Sequence, residues 1–136
     1  MAKVIYNKII PLKGYTAITI LPFIFTRVRN LKDYELNHEK IHLRQQLEVL
    51  LLSVAVIGVL VLTTGLSPWW LLSSPAVYYT MYCLEWLLRL VARRYRDKAY
   101  KGIAVEQEAY CHQYDMGYLS GRKPFSWVPM LIKEWK

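Results

Sequence analysis

Two histidines and a glutamate are spaced in this chain so that together they could bind and use a metal ion. They lie in the stretch His38-Glu39-Lys40-Ile41-His42, which has the pattern HExxH. On a helix, His38 and His42 share one face one turn apart, so both imidazoles can bind one cation. In hydrolases with this pattern, two neutral imidazoles hold Zn²⁺ and the glutamate deprotonates the metal-bound water. The pattern therefore predicts His38 and His42 as zinc ligands and Glu39 as the general base.

The same pattern has a plainer interpretation as the solvated face of a surface helix. The neighbouring residues are rich in charge, and a pair of histidines four apart also arises by chance. Two of the three histidines of the chain nevertheless fall within this one pattern. We therefore take metal binding as the working hypothesis.

A catalytic zinc site usually has three protein ligands and one position for water, so a third ligand is needed. The best candidates are Glu106 and Glu108, with His112 and Asp115 one and two turns further along the chain. Glu106 and Glu108 differ by about 200° around a helix, so they cannot both face one metal ion. The spacing alone leaves open which of the two is the ligand.

The charges of the chain are separated from its apolar residues. All 18 lysines and arginines lie at or before Arg44 or at or after Arg89, although the net charge is +8. Between these positions the only charged residues are Glu48 and Glu85. A basic protein with an uncharged middle is typical of a membrane protein, in which the flanking cations face lipid headgroups, so we do not expect nucleic-acid binding. The two cysteines, Cys83 and Cys111, have no CxxC spacing and indicate no disulfide scaffold.

Two stretches qualify as membrane-spanning helices. Residues 49–66 contain no charged residue, and residues 69–91 form a second long apolar stretch. About twenty residues are needed to cross the hydrocarbon core, so both are long enough or nearly so. Trp69 and Trp70, at the start of the second stretch, are typical of the aromatic belt at a membrane interface. A helical hairpin of two spans is therefore predicted.

Basic residues flank this hairpin on both sides. By the positive-inside rule they place both chain ends in the cytoplasm. Near the end of the second span, Glu85 and Arg89 are four residues apart and are predicted to pair with each other. The cations that follow the second span are Arg93, Arg94, Arg96, Lys98 and Lys101.

The segment before the HExxH pattern favours β-structure. Strands are predicted over residues 3–10 and 15–26, joined into a hairpin by the turn residues Pro11-Leu12-Lys13-Gly14. Pro22 cannot donate to a ladder, which favours an edge strand or a bulge. An extended peptide could pair with such an edge, and the alternative, a hairpin that only covers the domain or rests on the membrane, is equally compatible with the sequence.

These elements give one α+β membrane domain over residues 1–136. It begins with the β-hairpin, continues with a long HExxH helix that runs into the first span, and returns through the second span to a cytoplasmic helix with the third ligand. The tail resembles an interfacial segment. The predicted boundaries are 1–32, 33–66, 69–91, 102–118 and 124–136.

The HExxH pattern followed by Glu106-Gln107-Glu108-Ala109 resembles the HExxH and ExxA(D) motifs of membrane-embedded gluzincin metallopeptidases. These include the CAAX prenyl proteases and the antirepressor-type β-lactam sensors, and the whole chain is similar to short bacterial two-span HExxH proteins. The resemblance implies Glu106 as the third zinc ligand, with Ala109 fixing the register and Glu108 outside the ligand set. Tyr110 stands where those families usually have Asp. The resemblance also implies a location in the bacterial inner membrane and a peptide or protein substrate.

Three functions compete for these residues. The first is a zinc-dependent endopeptidase at the cytoplasmic membrane face. The second is a non-catalytic membrane protein with a structural or sensory metal site, or an adaptor without metal. The third is redox chemistry at iron, because Glu35-Leu36-Asn37-His38 and Glu39-Lys40-Ile41-His42 each have the ExxH spacing of di-iron carboxylate bundles. Both lie on one helix, whereas such a site draws them from separate helices, so we rank this function last.

Overall fold

The structure is a computed structural model that describes residues 3–92 and 96–132. A small three-stranded sheet comes first in the chain, with strands β1 (Lys3–Tyr6), β2 (Ala17–Ile20) and β3 (Phe23–Thr26). The strand order is β1-β3-β2. β2 and β3 are antiparallel, and β1 lies parallel to β3.

This pairing differs from the predicted hairpin, which is wrong. The predicted second strand, residues 15–26, is divided at Leu21 and Pro22, and its two halves pair with each other. Because Pro22 has no N–H to donate, it lies in a turn rather than within a strand. β1 pairs in parallel with β3, the second strand of that hairpin. The turn at Pro11 therefore does not join two neighbouring strands of the sheet.

The long helix α1 (Asp33–Thr64) has 32 residues. The Glu35 carboxylate accepts a hydrogen bond from the Lys32 N–H at its start, and Gly65 ends it with a φ of 72°, where a residue without Cβ is favoured. At 1.5 Å per residue the helix is about 48 Å long. It ends two residues before the predicted boundary at residue 66.

α1 changes character along its length. Its first half buries polar side chains against the sheet and the later helices. Its second half exposes large apolar side chains, namely Leu51, Leu52, Val54, Val56, Val59, Leu60 and Leu62. Among residues 3–92 and 96–132, α1 is the one helix long and apolar enough to cross a membrane.

The predicted second span is divided into two pieces. A 3-10 helix covers Pro68–Ser73, and α2 (Ser74–Ala92) follows it. α2 includes Glu85, Arg89 and three tyrosines, and within the described residues it does not reach the apolarity of α1. The structure therefore shows one candidate span, and the second stays a prediction.

The Glu85–Arg89 pair is confirmed, with 2.7 Å between the Arg89 Nη2 and Glu85 Oε1 atoms. The same Glu85 oxygen accepts the Ala104 N–H at 2.9 Å, and Arg89 Nη2 donates to the Leu131 carbonyl at 3.2 Å. The pair thus fastens α2 to the segments that follow it.

The remaining elements return to the first half of α1. They are α3 (Arg96–Gly102), α4 (Ala104–His112), α5 (Tyr118–Gly121) and a 3-10 helix over Val128–Leu131. The predicted ligand helix, residues 102–118, is therefore shorter, since it begins after Ile103 and ends at His112. Arg93 and Arg94, and residues 133–136 of the predicted tail, lie outside the described residues. The apolar core joins α1, α2, α4 and the tail through Val49, Tyr78, Ile103, Ala104, Val105 and Trp127.

Candidate metal centre

Three possible ligand residues from α1 and α4 converge beside the sheet. The Nε2 atoms of His38 and His42 are 3.1 Å apart, and they lie 3.4 Å and 3.5 Å from the two Glu106 carboxylate oxygens. A tetrahedral zinc ion with bonds of about 2.05 Å places its ligand atoms about 3.3 Å apart. The three residues are only 8%, 7% and 3% exposed. The group can therefore hold a metal ion.

The two oxygens of the Glu106 carboxylate differ in their hydrogen-bond partners. Oε1 accepts a hydrogen bond from the Tyr82 hydroxyl at 2.8 Å. Oε2 is buried and has no hydrogen-bond partner among the described residues, although it faces His38. A buried carboxylate oxygen normally has a partner, and a bound cation would supply one.

Both imidazoles are oriented by side-chain amides. His38 Nδ1 lies 3.2 Å from Gln113 Oε1, and His42 Nδ1 lies 2.8 Å from Gln45 Oε1. Each contact leaves Nε2 directed at the centre. The Asn37 amide donates to three carbonyls at the end of α4, those of His112, Gln113 and Asp115, and so holds Gln113 in place.

Tyr110 does not take the part that an Asp has in the families of the resemblance. Its ring packs edge-on against the His38 ring, with 4.7 Å between centroids. The acceptor for His38 Nδ1 instead comes from Gln113, three residues later. The His38 Nδ1 atom therefore faces a side-chain amide rather than a carboxylate.

Glu108, the alternative third ligand, is directed away from the two histidines. It is fully buried, and Arg122, the Tyr118 hydroxyl and the Gln45 amide donate to its oxygens. His112 stacks on the Tyr118 ring at 3.8 Å instead of joining the ligand group. Asp115 is exposed, and its Oδ1 accepts the Gly117 N–H.

Glu39 lies beside the ligand group on the side of the sheet. Its Oε2 accepts a hydrogen bond of 2.6 Å from the Thr19 hydroxyl of β2. The Gln46 side chain in turn holds β2, donating to the Thr19 carbonyl at 2.8 Å and accepting the Leu21 N–H at 2.9 Å. Side chains of α1 therefore occupy the part of the β2 edge nearest Glu39.

The ligand residues are electrostatically coupled. Burial by itself lowers the pKa of His42, but the Glu106 carboxylate and, to a smaller extent, that of Glu39 outweigh it and raise that pKa to about 9. Burial raises the pKa of Glu106, yet the His42 and His38 imidazoles hold it well below its usual range. Without a metal, the protonated form of the His42 imidazole and the ionised form of the Glu106 carboxylate are therefore both favoured.

Sequence reasoning missed Thr19, Gln45, Tyr82 and Gln113. Gln45 follows His42 by three residues on one helix face, which was a readable signal. Thr19, Tyr82 and Gln113 lie on other segments of the chain, and no sequence pattern indicated their contacts with the ligand group. Comparison with protein-family models, curated proteins and solved structures finds no match to this chain.

Proposed function

We propose that this chain is a zinc-dependent metallopeptidase that cleaves a peptide or protein at the cytoplasmic face of a membrane. The observation that carries the proposal is the buried His38, His42 and Glu106 group, in which one ligand atom of each residue lies within 4.8 Å of the other two. Two imidazoles and one carboxylate are a donor set of catalytic zinc sites and leave a fourth position for water. Glu39 adds a carboxylate that is not needed as a ligand.

A zinc ion held by His38, His42 and Glu106 would supply Lewis-acid chemistry, polarising the substrate carbonyl and acidifying water. Glu39 would accept a proton from the attacking water and deliver it to the leaving amine. The Thr19 hydroxyl orients the Glu39 carboxylate, and the Tyr82 hydroxyl orients that of Glu106. These neighbours keep the base and the ligand in place without reorganisation during the reaction.

The proposed membrane position follows from the length and surface of α1. From Val49 to Thr64 the apolar half of the helix rises about 22 Å, which covers most of the roughly 30 Å of the hydrocarbon core. The ligands then lie at one boundary of the bilayer, and the exposed Trp69 and Trp70 lie at the other. α2 returns to the first boundary with its outer side apolar, through Val77, Leu84, Leu87, Leu88 and Val91. The basic flanks make this boundary cytoplasmic, in an inner membrane crossed twice.

The test combines metal content with hydrolysis. Detergent-purified wild type should contain about one zinc per chain and cleave internally quenched peptides. His38→Ala should lose the zinc, whereas His112→Ala, the matched change at the histidine outside the group, should retain it. Glu39→Gln should retain zinc and lose hydrolysis at least about a hundredfold, because a general base contributes 10²–10⁴-fold.

Unchanged hydrolysis in zinc-loaded Glu39→Gln would contradict the mechanism. Folded wild type without stoichiometric metal would contradict the function itself.

A structural or sensory metal site is the second candidate. The burial of all three ligands favours it, since structural zinc sites are closed. In that case Glu39→Gln would fold and function as wild type, and His38→Ala would lose stability. Iron chemistry has less support. It would need Glu35 as a ligand, but the Glu35 carboxylate accepts a hydrogen bond from the Lys32 N–H at the start of α1.

A further inference from the structure

The Gln45 amide lies between His42 and a group of buried charges. Its Oε1 faces His42 Nδ1 at 2.8 Å, and its Nε2 donates to the Val105 carbonyl at 3.0 Å and to Glu108 Oε2 at 2.9 Å. The Val105 carbonyl and the Glu108 carboxylate have no hydrogen to donate, so the NH₂ end of the amide must face them. The oxygen must then face His42, whose Nδ1 carries the proton of that hydrogen bond.

The position of Glu108 is itself fixed by an ion cluster. Arg122, whose side chain is 1% exposed, bridges Glu108 and Glu48 with its guanidinium. The Phe125 N–H donates to Glu48 at 3.0 Å, and the Tyr118 hydroxyl donates to Glu108 at 2.8 Å. Such a cluster has no room for an alternative amide orientation, because a buried group left unpaired is costly.

We propose that Gln45 is the positioning residue of the metal centre, fixing the His42 tautomer in which Nε2 is free to bind the cation. The Glu108–Arg122–Glu48 cluster holds Gln45 in that orientation. The inference rests on the proposed metal site, but not on peptide hydrolysis. The Tyr78 hydroxyl, 3.4 Å from His42 Nδ1, is too distant to replace the Gln45 oxygen as an equal partner.

Adjacent glutamines of α1 allow a matched test. Gln45 and Gln46 are both buried and each makes hydrogen bonds through both ends of its amide, but those of Gln46 go to β2 and Tyr79. Zinc affinity of the full-length protein in detergent is measured by competition with a chromophoric chelator. Gln45→Met should weaken zinc binding about 10- to 100-fold, as for other groups that orient a ligand. Gln46→Met loses comparable packing and hydrogen bonds and should bind zinc as wild type does.

Equal zinc affinity in Gln45→Met and wild type would overturn the proposal, and so would an equal loss in both variants. If Gln45→Met does not fold, zinc-loaded wild type with ¹⁵N-labelled histidine decides the question. Long-range ¹H–¹⁵N spectra should show the His42 proton on Nδ1 and the metal on Nε2. The reverse tautomer would overturn the inference. Wild type that binds zinc in this way without cleaving peptides would contradict only the peptidase.

Discussion

The two halves of α1 differ in what they bury. Of the ten buried side chains of this helix, eight are polar, and nine lie at or before Val49. After Val49 the helix is almost entirely apolar, and most of its side chains are exposed. One half thus has a polar interior, and the other has an apolar exterior. Hydrophobicity alone would place the core of this protein at the wrong end of its longest helix.

The difference shows what each half depends on. Polar groups in the first half are stable only because nearly every one has a partner, as for Gln45, Gln46 and Glu48. Apolar side chains in the second half have no such requirement, because lipid can cover them. The effect of a substitution in the first half should therefore depend on which hydrogen bond or ion pair it removes. The effect of a substitution in the second half should depend on whether it introduces a charge.

The largest effect is expected at Arg122, whose buried side chain pairs with Glu48 in the first half of α1. Arg122→Met leaves Glu48 and Glu108 buried without their cation, which should destabilise the protein by about 3–5 kcal/mol. Lys123→Met removes an exposed cation from the next residue and should have no comparable effect. Thermal unfolding of the two variants in detergent compares them. A melting temperature for Arg122→Met equal to that of Lys123→Met would show that the cluster does not support the fold.

A smaller effect is expected from a charge in the second half. Val59→Lys places an ammonium on an exposed apolar surface, where membrane insertion should cost about 2.5–3.5 kcal/mol. Lys40→Val makes the opposite change at an exposed position of the first half and should leave insertion unaltered. Glycosylation mapping of the inserted fraction measures both. Full insertion of Val59→Lys would argue that this half of α1 does not lie in lipid.

The smallest effect concerns protons at the ligand group. The pKa of His42 is raised to about 9, so in the metal-free protein the imidazole is protonated below that pH. Zinc must displace this proton, and its apparent affinity should rise about tenfold per pH unit between about pH 7 and 9 and then level off. Chelator competition at several pH values measures the slope. A flat profile would mean that His42 does not carry the displaced proton.

The sequence was most informative about polar side chains that lie one helical turn apart. The placement of His38 and His42 on one face follows directly from their spacing, as does the pairing of Glu85 with Arg89. The zinc ion, the peptidase and the second span stay predictions.

Longer-range contacts could not be predicted. Spacing favoured Glu106 and Glu108 as the third ligand without deciding between them. Glu108 is paired with Arg122, and no local pattern indicates that contact. The sheet was predicted wrongly for a similar reason. The turn signals at Pro11 and Pro22 look alike in sequence, and only pairing between distant strands distinguishes a hairpin from a crossover.

The ligand group joins parts of the chain that lie far apart in sequence. His42 and Glu106 stand on either side of the whole helical hairpin. An ion bound by both closes residues 43–105 into a ring, and α4 cannot leave α1 until the ion is released. In the proposed membrane protein, such an ion would bind only after α4 has packed on α1 and would then join the two ends of the helical hairpin.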